Sequence, residues 1–514
     1  MNKRREFLKS TGLAGLGLFG AGSAMADSMK VLPFEASYGN SRIQTFNMSG
    51  FAAPKIDTVR VGVVGLGQRG PGAVDRLSKI EGVEIKALCD LLPERAEKAK
   101  KSLEGTIHKP ELYSGSAYAW KKMCERPDLD LIYIATPWEW HVPMAVFAME
   151  SGKHAAVEVP AARTLDECWQ LVETSERTKK HCMQLENCCY DFFELMTLKM
   201  AREGFFGEVV HVEGAYIHDL LWLNFDKDKG YQGMWRLEEN FRNGNLYPTH
   251  GLGPICQILD INRGDQMDFL TSMSSNDFQM KKKAQELAEQ DAFWNSYAAK
   301  NYRGNMNTTV VKTKKGKSIM IQHDVTSPRP YSRLHVVSGT EGYAQKYPDQ
   351  KVSKGHSWMK EDEMMALKEK YTPEIVQKVG ELAKQIGGHG GMDFMMDWRL
   401  IDCLRNGLPL DQDVYDAALW SCITPLSEWS VANRSNSIDI PDFTGGHWKT
   451  NKPVEITLKG GVGLFTQAPE PQNSFEPLGN PELESEKARQ YALGGEWRPL
   501  DFVELNVTGF YQDY

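Results

Sequence analysis

Residues 57–90 read DTVRVGVVGLGQRGPGAVDRLSKIEGVEIKALCD, and the order of residue types in this stretch decides the fold. Val61 to Val64 form an apolar run with the β-branched content of a buried strand. Gly65, Gly67 and Gly70 follow at G-x-G-x-x-G spacing before a helix-like segment. Glycines at these places let the backbone turn tightly and approach a pyrophosphate at a helix N-terminus. Val83 to Cys89 form a second strand ending at Asp90, a carboxylate placed to accept hydrogen bonds from an adenine ribose and to repel a 2′-phosphate. Strand, glycine triplet, helix, strand and acid, in that order, predict a dinucleotide site that favours NAD over NADP.

Outward from this unit, the pattern keeps alternating. Strands are expected at 131–135 and 154–158, and helices near 93–103, 141–151 and 164–179. This alternation predicts a doubly wound parallel sheet, a Rossmann domain over 57–185. After about residue 190 longer alternating strands take over, such as 207–216, 307–323 and 333–344. They predict a second, α+β domain over 186–514, built on a large and mostly antiparallel open sheet that offers a face for a dimer. Lys281–Lys283 fit a helix surface, Lys312–Lys317 a hairpin turn and Val414–Ala432 a long helix, with an irregular tail expected from Pro441.

The chain begins MNKRREFLKS, with Arg4 and Arg5 ahead of a glycine-rich apolar stretch and an A-x-A site at Ala24-Met25-Ala26. Residues 1–26 resemble a twin-arginine export signal, too short and glycine-rich in the apolar part for a membrane span. Residues 27–56 lack periodicity and read as an arm on the folded body. An exported, periplasmic or secreted NAD protein meets no nucleotide pool, so it must hold its cofactor tightly and restore its redox state each cycle. The net charge of −8, with both signs interspersed, argues against nucleic acid and acidic membrane surfaces as partners. Nine cysteines without C-x-x-C spacing read as mostly free buried thiols. Thirteen tryptophans and eighteen tyrosines exceed what a core needs and suit stacking on sugar rings.

The third strand runs into Thr136-Pro137-Trp138-Glu139-Trp140-His141, at the carboxyl edge of the sheet where ligands bind in open α/β folds. The next ends at Glu158-Val159-Pro160. ATP-x-x-x-H followed by E-x-P after a Rossmann unit resembles the Gfo/Idh/MocA oxidoreductase family. Dehydrogenases of that family carry E-K-P and a later D-x-x-x-H; this chain has Val159 for the lysine and Asn245-Leu246-Tyr247-Pro248-Thr249-His250 without the aspartate. These departures resemble glycoside hydrolase family 109, the NAD-dependent α-N-acetylgalactosaminidases. The twin-arginine start, WEWH at 138–141, EVP at 158–160, ENCCY at 186–190, MWR at 234–236, NLYPTHGLGP at 245–254, PRPYSR at 328–333 and GGHGGMDF at 387–394 carry the resemblance.

The resemblance implies a retaining hydrolase with a hidden redox cycle: oxidation at C3 of the sugar, loss of the C2 proton, elimination of the aglycone, addition of water and return of the hydride. Its substrate would be a glycan with a terminal N-acetylhexosamine. By motif match Gln68, Arg69, Asp90, Trp138, Glu139, Trp140, His141, Glu158, Val159, Asn187 and Tyr247 contact NAD, together with the glycine loop. Tyr216, Arg236, Tyr247, Pro248, Thr249, His250 and Tyr331 contact the sugar. His250 and Tyr247 are the acid-base candidates, the histidine in a loop and the tyrosine as a phenol of lowered pKa. From the residues alone Arg236 reads as a surface ion pair. Glu158 stays open between general base and nicotinamide contact, and His389 between lining the site and packing. His211 and His218 do not have zinc-ligand spacing, so no metal is expected. Two other functions fit the same residues: a periplasmic sugar oxidoreductase with bound nucleotide, and a non-catalytic NAD-containing sugar-binding protein.

Overall fold

The structure, a computed structural model, describes residues 44–229 and 231–456 in full and the backbone of three further strands between 464 and 513. The expected export signal and residues 27–43 of the arm lie outside the described residues. Six strands, β1 (Val59–Val64), β2 (Val83–Cys89), β3 (Glu111–Tyr113), β4 (Leu131–Ile134), β5 (His154–Val157) and β6 (Cys182–Gln184), form a parallel sheet in the order β3-β2-β1-β4-β5-β6. Helices cover both faces, which is why β1, β4 and β5 are buried nearly throughout and read as continuous apolar runs. The order reverses between β1 and β4, so their carboxyl ends splay and open a crevice there.

The second sheet contains β7 (Val209–Ile217), β8 (Met267–Ser274), β9 (Asn307–Thr313), β10 (Ser318–Asp324), β11 (Ser332–Gly339), β12 (Tyr343–Gln345), β13 (Lys351–Ser353) and β14 (Ile438–Asp439). Its order is β13-β12-β11-β7-β10-β9-β8-β14, antiparallel except where β10 runs parallel to β7. The 307–323 stretch is a hairpin turning through Lys314–Gly316, and 333–344 divides into β11 and β12 around Thr340–Gly342. The tail expected to be irregular contains a three-stranded antiparallel sheet of β15 (Leu464–Gln467), β16 (Glu486–Leu500) and β17 (Val503–Asp513).

Two helices set the position of the site. The Thr249–Ile258 helix lies on β7 at a glycine–glycine crossing: a Cβ on Gly251 would stand 2.2 Å from the Ala215 nitrogen, and one on Gly214 would stand 2.4 Å from the Gly251 carbonyl oxygen. Only this close approach brings the start of the helix against Tyr216. The Val414–Ala432 helix packs on both β8 and the Leu165–Thr178 helix, and its Ser421 donates to Gln184 at the end of β6 (3.1 Å), tying the two sheets together. The described part of the arm hangs from the same helix, since the Met48 N–H donates to the Tyr415 hydroxyl (3.1 Å). All nine cysteines are free and buried. Among the described residues no helix is long and apolar enough to cross a membrane.

Candidate active site

The three glycines of the first β–α turn have different tasks. Gly65 has φ +88°, and a Cβ there would meet the Ala135 carbonyl at 2.5 Å; a Cβ on Gly70 would lie 1.9 Å from the Gly65 oxygen. Both hold the turn against β4 and the following helix. A Cβ on Gly67 would touch only the Arg95 side chain, at 3.3 Å, so this glycine keeps open the space a pyrophosphate needs. Asp90, 6% exposed, accepts the Leu66 N–H at 2.7 Å and the Leu92 N–H at 2.9 Å, which fixes its carboxylate at the cavity wall. These features fit the adenosine and pyrophosphate of a dinucleotide.

Arg69 leaves this loop to bond Glu158 at 2.8 Å and Asp393 at 3.1 Å. Asp393 is buried, yet His389, Arg69 and Arg76 hold its carboxyl well below the usual range. Asn187 donates to the same Asp393. The nucleotide loop is thus anchored to the GGHGGMDF segment. His389 bonds Asp393 at 2.9 Å and also reaches the cavity wall, so it does both things the sequence left open.

The sugar side is made of rings around one buried cation. The Arg236 guanidinium lies 4.8 Å from the centres of the Trp138 and Tyr247 rings and 4.9 Å from that of Tyr231. Among the described residues no carboxylate lies within ion-pair distance of it. Arg236 is therefore a caged, buried charge facing a cavity and not the surface ion pair its sequence context suggests. Tyr216 from β7 lies 4.7 Å from Tyr247 and 5.3 Å from His250, centre to centre.

His250 is not in a loop: it occupies the first turn of the Thr249–Ile258 helix. Its Nδ1 bonds Glu186 Oε1 at 2.7 Å. Glu186 is fully buried; burial would raise its pKa, but His250 and the Cys188 N–H outweigh that and hold it below the usual carboxylate value. The carboxylate missing from the D-x-x-x-H motif is supplied here from 64 residues upstream. Sequence reasoning assigned Glu186 no role. The available signal was its place just past β6, at the carboxyl edge of the parallel sheet. Glu186, Cys188 and His250 offer ligating atoms all within 4.8 Å of one another, but Nδ1 is committed to Glu186 and burial pushes the Cys188 thiol up.

The structure corrects the expectation for Tyr247. Burial raises its pKa well above the ordinary phenol value, with Arg236 opposing only in part, and Tyr216 is pushed up to about 12. Both stay protonated near neutrality. An inner cavity of about 260 Å³ brings together Gly65, Gly67, Gln68, Arg69, Asp90, Trp138, His141, Glu158, Val159, Asn187, Tyr216, Arg236, Tyr247 and His250. Arg95, Tyr231 and Gln232, which no motif singled out, also line it, as does Trp235 of the MWR motif. Tyr331 lines a second chamber that shares Asn187, Tyr216, His250 and His389 with the first.

Four predicted contacts are not at either cavity. Glu139 faces solvent from the Trp138–Trp140 turn, and Trp140 packs edge-on to Tyr118. Pro248 and Thr249 are buried beneath Tyr247 and His250 in the chain's turn into the helix. His141 lies at the wall with its ring nitrogens 2.8 Å from the Pro160 carbonyl oxygen and 2.9 Å from that of Thr136; burial lowers its pKa, and the one N–H of the neutral ring donates to one of them, between the loops after β4 and β5.

The profile described as "Glycosyl hydrolase 109, C-terminal domain" matches residues 190–450, and the "Oxidoreductase family, NAD-binding Rossmann fold" profile matches residues 59–185. The chain belongs to glycosyl hydrolase family 109. It is 47% identical over 464 residues to Glycosyl hydrolase family 109 protein 1 of Bacteroides fragilis, covering 85% of this chain and 96% of that protein. The protein of that name from Phocaeicola vulgatus is 51% identical over 417 residues, covering 77% and 86%. Among solved structures, an oxidoreductase domain protein from Kribbella flavida aligns with TM-score 0.56 at 15% identity, covering 75% of this chain and all of that one. A levoglucosan dehydrogenase in complex with NADH and L-sorbose aligns with TM-score 0.54 at 17% identity, covering 75% and 100%. At such identities these two establish the fold alone; the profiles make it a Gfo/Idh/MocA Rossmann domain followed by a family 109 C-terminal domain.

Proposed function

We propose that the protein is an exported retaining glycosidase that releases terminal α-linked N-acetylgalactosamine by transient oxidation at C3. The observation that carries this reading is the His250–Glu186 pair facing a cavity continuous with the nucleotide cradle, where the carboxylates found among the described residues are already engaged. Glycosidases of the two-carboxylate kind need a free acid and a free base or nucleophile flanking the bond. Here Glu158 is held by Arg69, Asp90 by backbone N–H groups and Glu186 by His250.

Bound NAD supplies the reversible removal of hydride from C3. With C3 at the ketone level the C2–H becomes acidic, and the protein's work is to accept that proton. Glu186 takes the hydrogen bond from Nδ1–H of His250, which leaves the Nε2 lone pair free to act as the base. The negative charge that develops between C2 and O3 is matched by the caged Arg236 cation. Tyr247, kept protonated by burial, donates to an oxygen of the substrate, and the Trp138, Tyr231 and Tyr247 rings exclude water from the guanidinium. Departure of the C1 substituent with one proton, addition of water across C1 and C2 with its hydroxyl on C1 and a proton returned to C2, and return of the hydride to C3 complete hydrolysis with retained configuration.

The Arg4-Arg5 pair and the Ala24–Ala26 site support export by the twin-arginine route, and with it a tightly held nucleotide. Exposed Phe269, Met273 and Val310 on the outer face of the second sheet support a homodimer through that face. The test is a panel of p-nitrophenyl glycosides incubated with purified protein and no added nucleotide. Release from the α-N-acetylgalactosaminide is expected; no release from any member, with oxidation of free sugars instead, would favour the oxidoreductase.

A further inference from the structure

The segment that helps to cage Arg236 also reaches the nucleotide end of the cleft. Tyr231 lies over the Arg236 guanidinium, and Trp235 meets Trp138 edge-on with ring centres 5.4 Å apart, so residues 231–236 are fixed on the sugar side. Gln232, exposed within this segment, reaches the other way: its Oε1 accepts a hydrogen bond from the Arg95 guanidinium. Arg95 belongs to the Pro93–Lys101 helix, which follows β2 in the Rossmann half. One bond at the solvent side of the cavity therefore joins the second half to the first, and both of its residues line that cavity.

The backbone is bent to make this reach. Met234 is a buried non-glycine residue at φ +59°, next to Gly233 at φ +78°, and its N–H donates to the Tyr231 carbonyl at 2.8 Å. Positive φ outside glycine is uncommon, and strain of this kind gathers at ligand clamps. Charge points to the same place. Of the three arginines lining the cavity, Arg69 is bonded to Glu158 and Asp393, and Arg236 is caged at the sugar end. Among the described residues the one carboxylate near Arg95 is Asp90, at 3.9 Å, and both Asp90 oxygens already accept N–H groups. Arg95 lies beside Gly67, the glycine that leaves room for a pyrophosphate, and its cation is free to meet that group's negative charge.

We propose that Arg95 and Gln232 form a clasp over the nucleotide: Arg95 binds the pyrophosphate, and Gln232 holds Arg95 from across the cleft, so that the nucleotide leaves only when the bond between the two halves opens. Arg95 is thus a binding residue and Gln232 a positioning residue that acts through it. The proposal rests on the reading of NAD as a resident cofactor and names the residues that keep it resident.

The experiment takes the protein with its co-purified nucleotide, adds excess isotopically labelled NAD⁺, and follows the unlabelled nucleotide released into the filtrate by mass spectrometry. A hydrogen bond to a charged group is worth about tenfold or more, and such losses fall mainly on the dissociation rate. Gln232→Ala is expected to speed exchange about tenfold, and Arg95→Ala to speed it further. Gln232→Met keeps the length of the side chain but loses the amide oxygen, and should exchange as fast as Gln232→Ala. Because Gln232 acts through Arg95, the double alanine variant should exchange no faster than Arg95→Ala alone, a non-additivity that a general loss of stability would not produce. Wild-type exchange rates in Gln232→Ala or Gln232→Met, or effects that add in the double variant, would overturn the clasp while leaving the resident cofactor standing. Wild-type protein that purifies without nucleotide would overturn both.

Discussion

The two halves of the cleft are built by opposite means. On the nucleotide side one contiguous stretch does the work through its backbone: Gly65 and Gly70 allow close packing, Gly67 leaves room, and Asp90 is fixed by two N–H groups. On the sugar side the chemistry belongs to side chains from separate segments: Tyr216 on β7, Arg236 on a short helix, Tyr247 and His250 at another helix start, and Glu186 past β6. The difference teaches where each half can fail. A single Cβ can spoil the first half, whereas the second tolerates backbone neighbours but depends on a few polar atoms.

Substitutions can break this contrast or sharpen it. His250→Ala is expected to have the largest effect, a fall in kcat of about 10²–10⁴-fold, the usual worth of a general base. Absorbance of the co-purifying nucleotide should be unchanged; its loss would mean that the halves are not separable. Arg236→Met removes the cation facing the developing charge and is expected to cost about 10²–10³-fold in kcat, with little change in melting temperature. A loss seen only in KM would make Arg236 a ground-state contact.

Glu186→Gln exchanges a charged hydrogen bond for a neutral one, a difference of about 1–1.5 kcal/mol, or about five- to tenfold in kcat. The pKa of Glu186 is depressed in the folded protein, so its contribution is fully present above the unfolded carboxylate value and is lost as pH falls through the folded one. The wild-type protein should therefore keep this contribution to thermal stability down to a pH below the ordinary carboxylate range, and Glu186→Gln should remove that pH dependence. The last effect comes from the other half and falls on stability. Gly70→Ala would drive a methyl group into the Gly65 carbonyl and cost about 1–3 kcal/mol of stability, read by thermal unfolding. Released nucleotide should accompany it.

The same contrast explains what the sequence made legible. The Rossmann half was readable because strand, turn and helix are local, and the spacing of Gly65, Gly67 and Gly70 states a backbone requirement directly. The second sheet pairs strands far apart in the chain, such as β7 with β10 and β11, so its order was not readable. Motif resemblance named Tyr216, Arg236, Tyr247, His250 and Tyr331, but treated runs such as 138–141 and 247–250 as uniform. A helical turn sends neighbours in different directions, so Glu139 and Trp140 point away from the cavity while Trp138 lines it. The cage around Arg236 and the Glu186 partner of His250 arise only when distant segments meet. Tyr247 was expected to have a lowered pKa because local sequence does not report burial.

The most direct test of the central claim is cleavage of p-nitrophenyl α-N-acetylgalactosaminide in deuterated water with no added nucleotide, followed by analysis of the released sugar. Removal and return of the C2 proton through His250 predicts deuterium at C2 in step with nitrophenol release. Release of the sugar with protium retained at C2 would contradict it and point to direct displacement at C1.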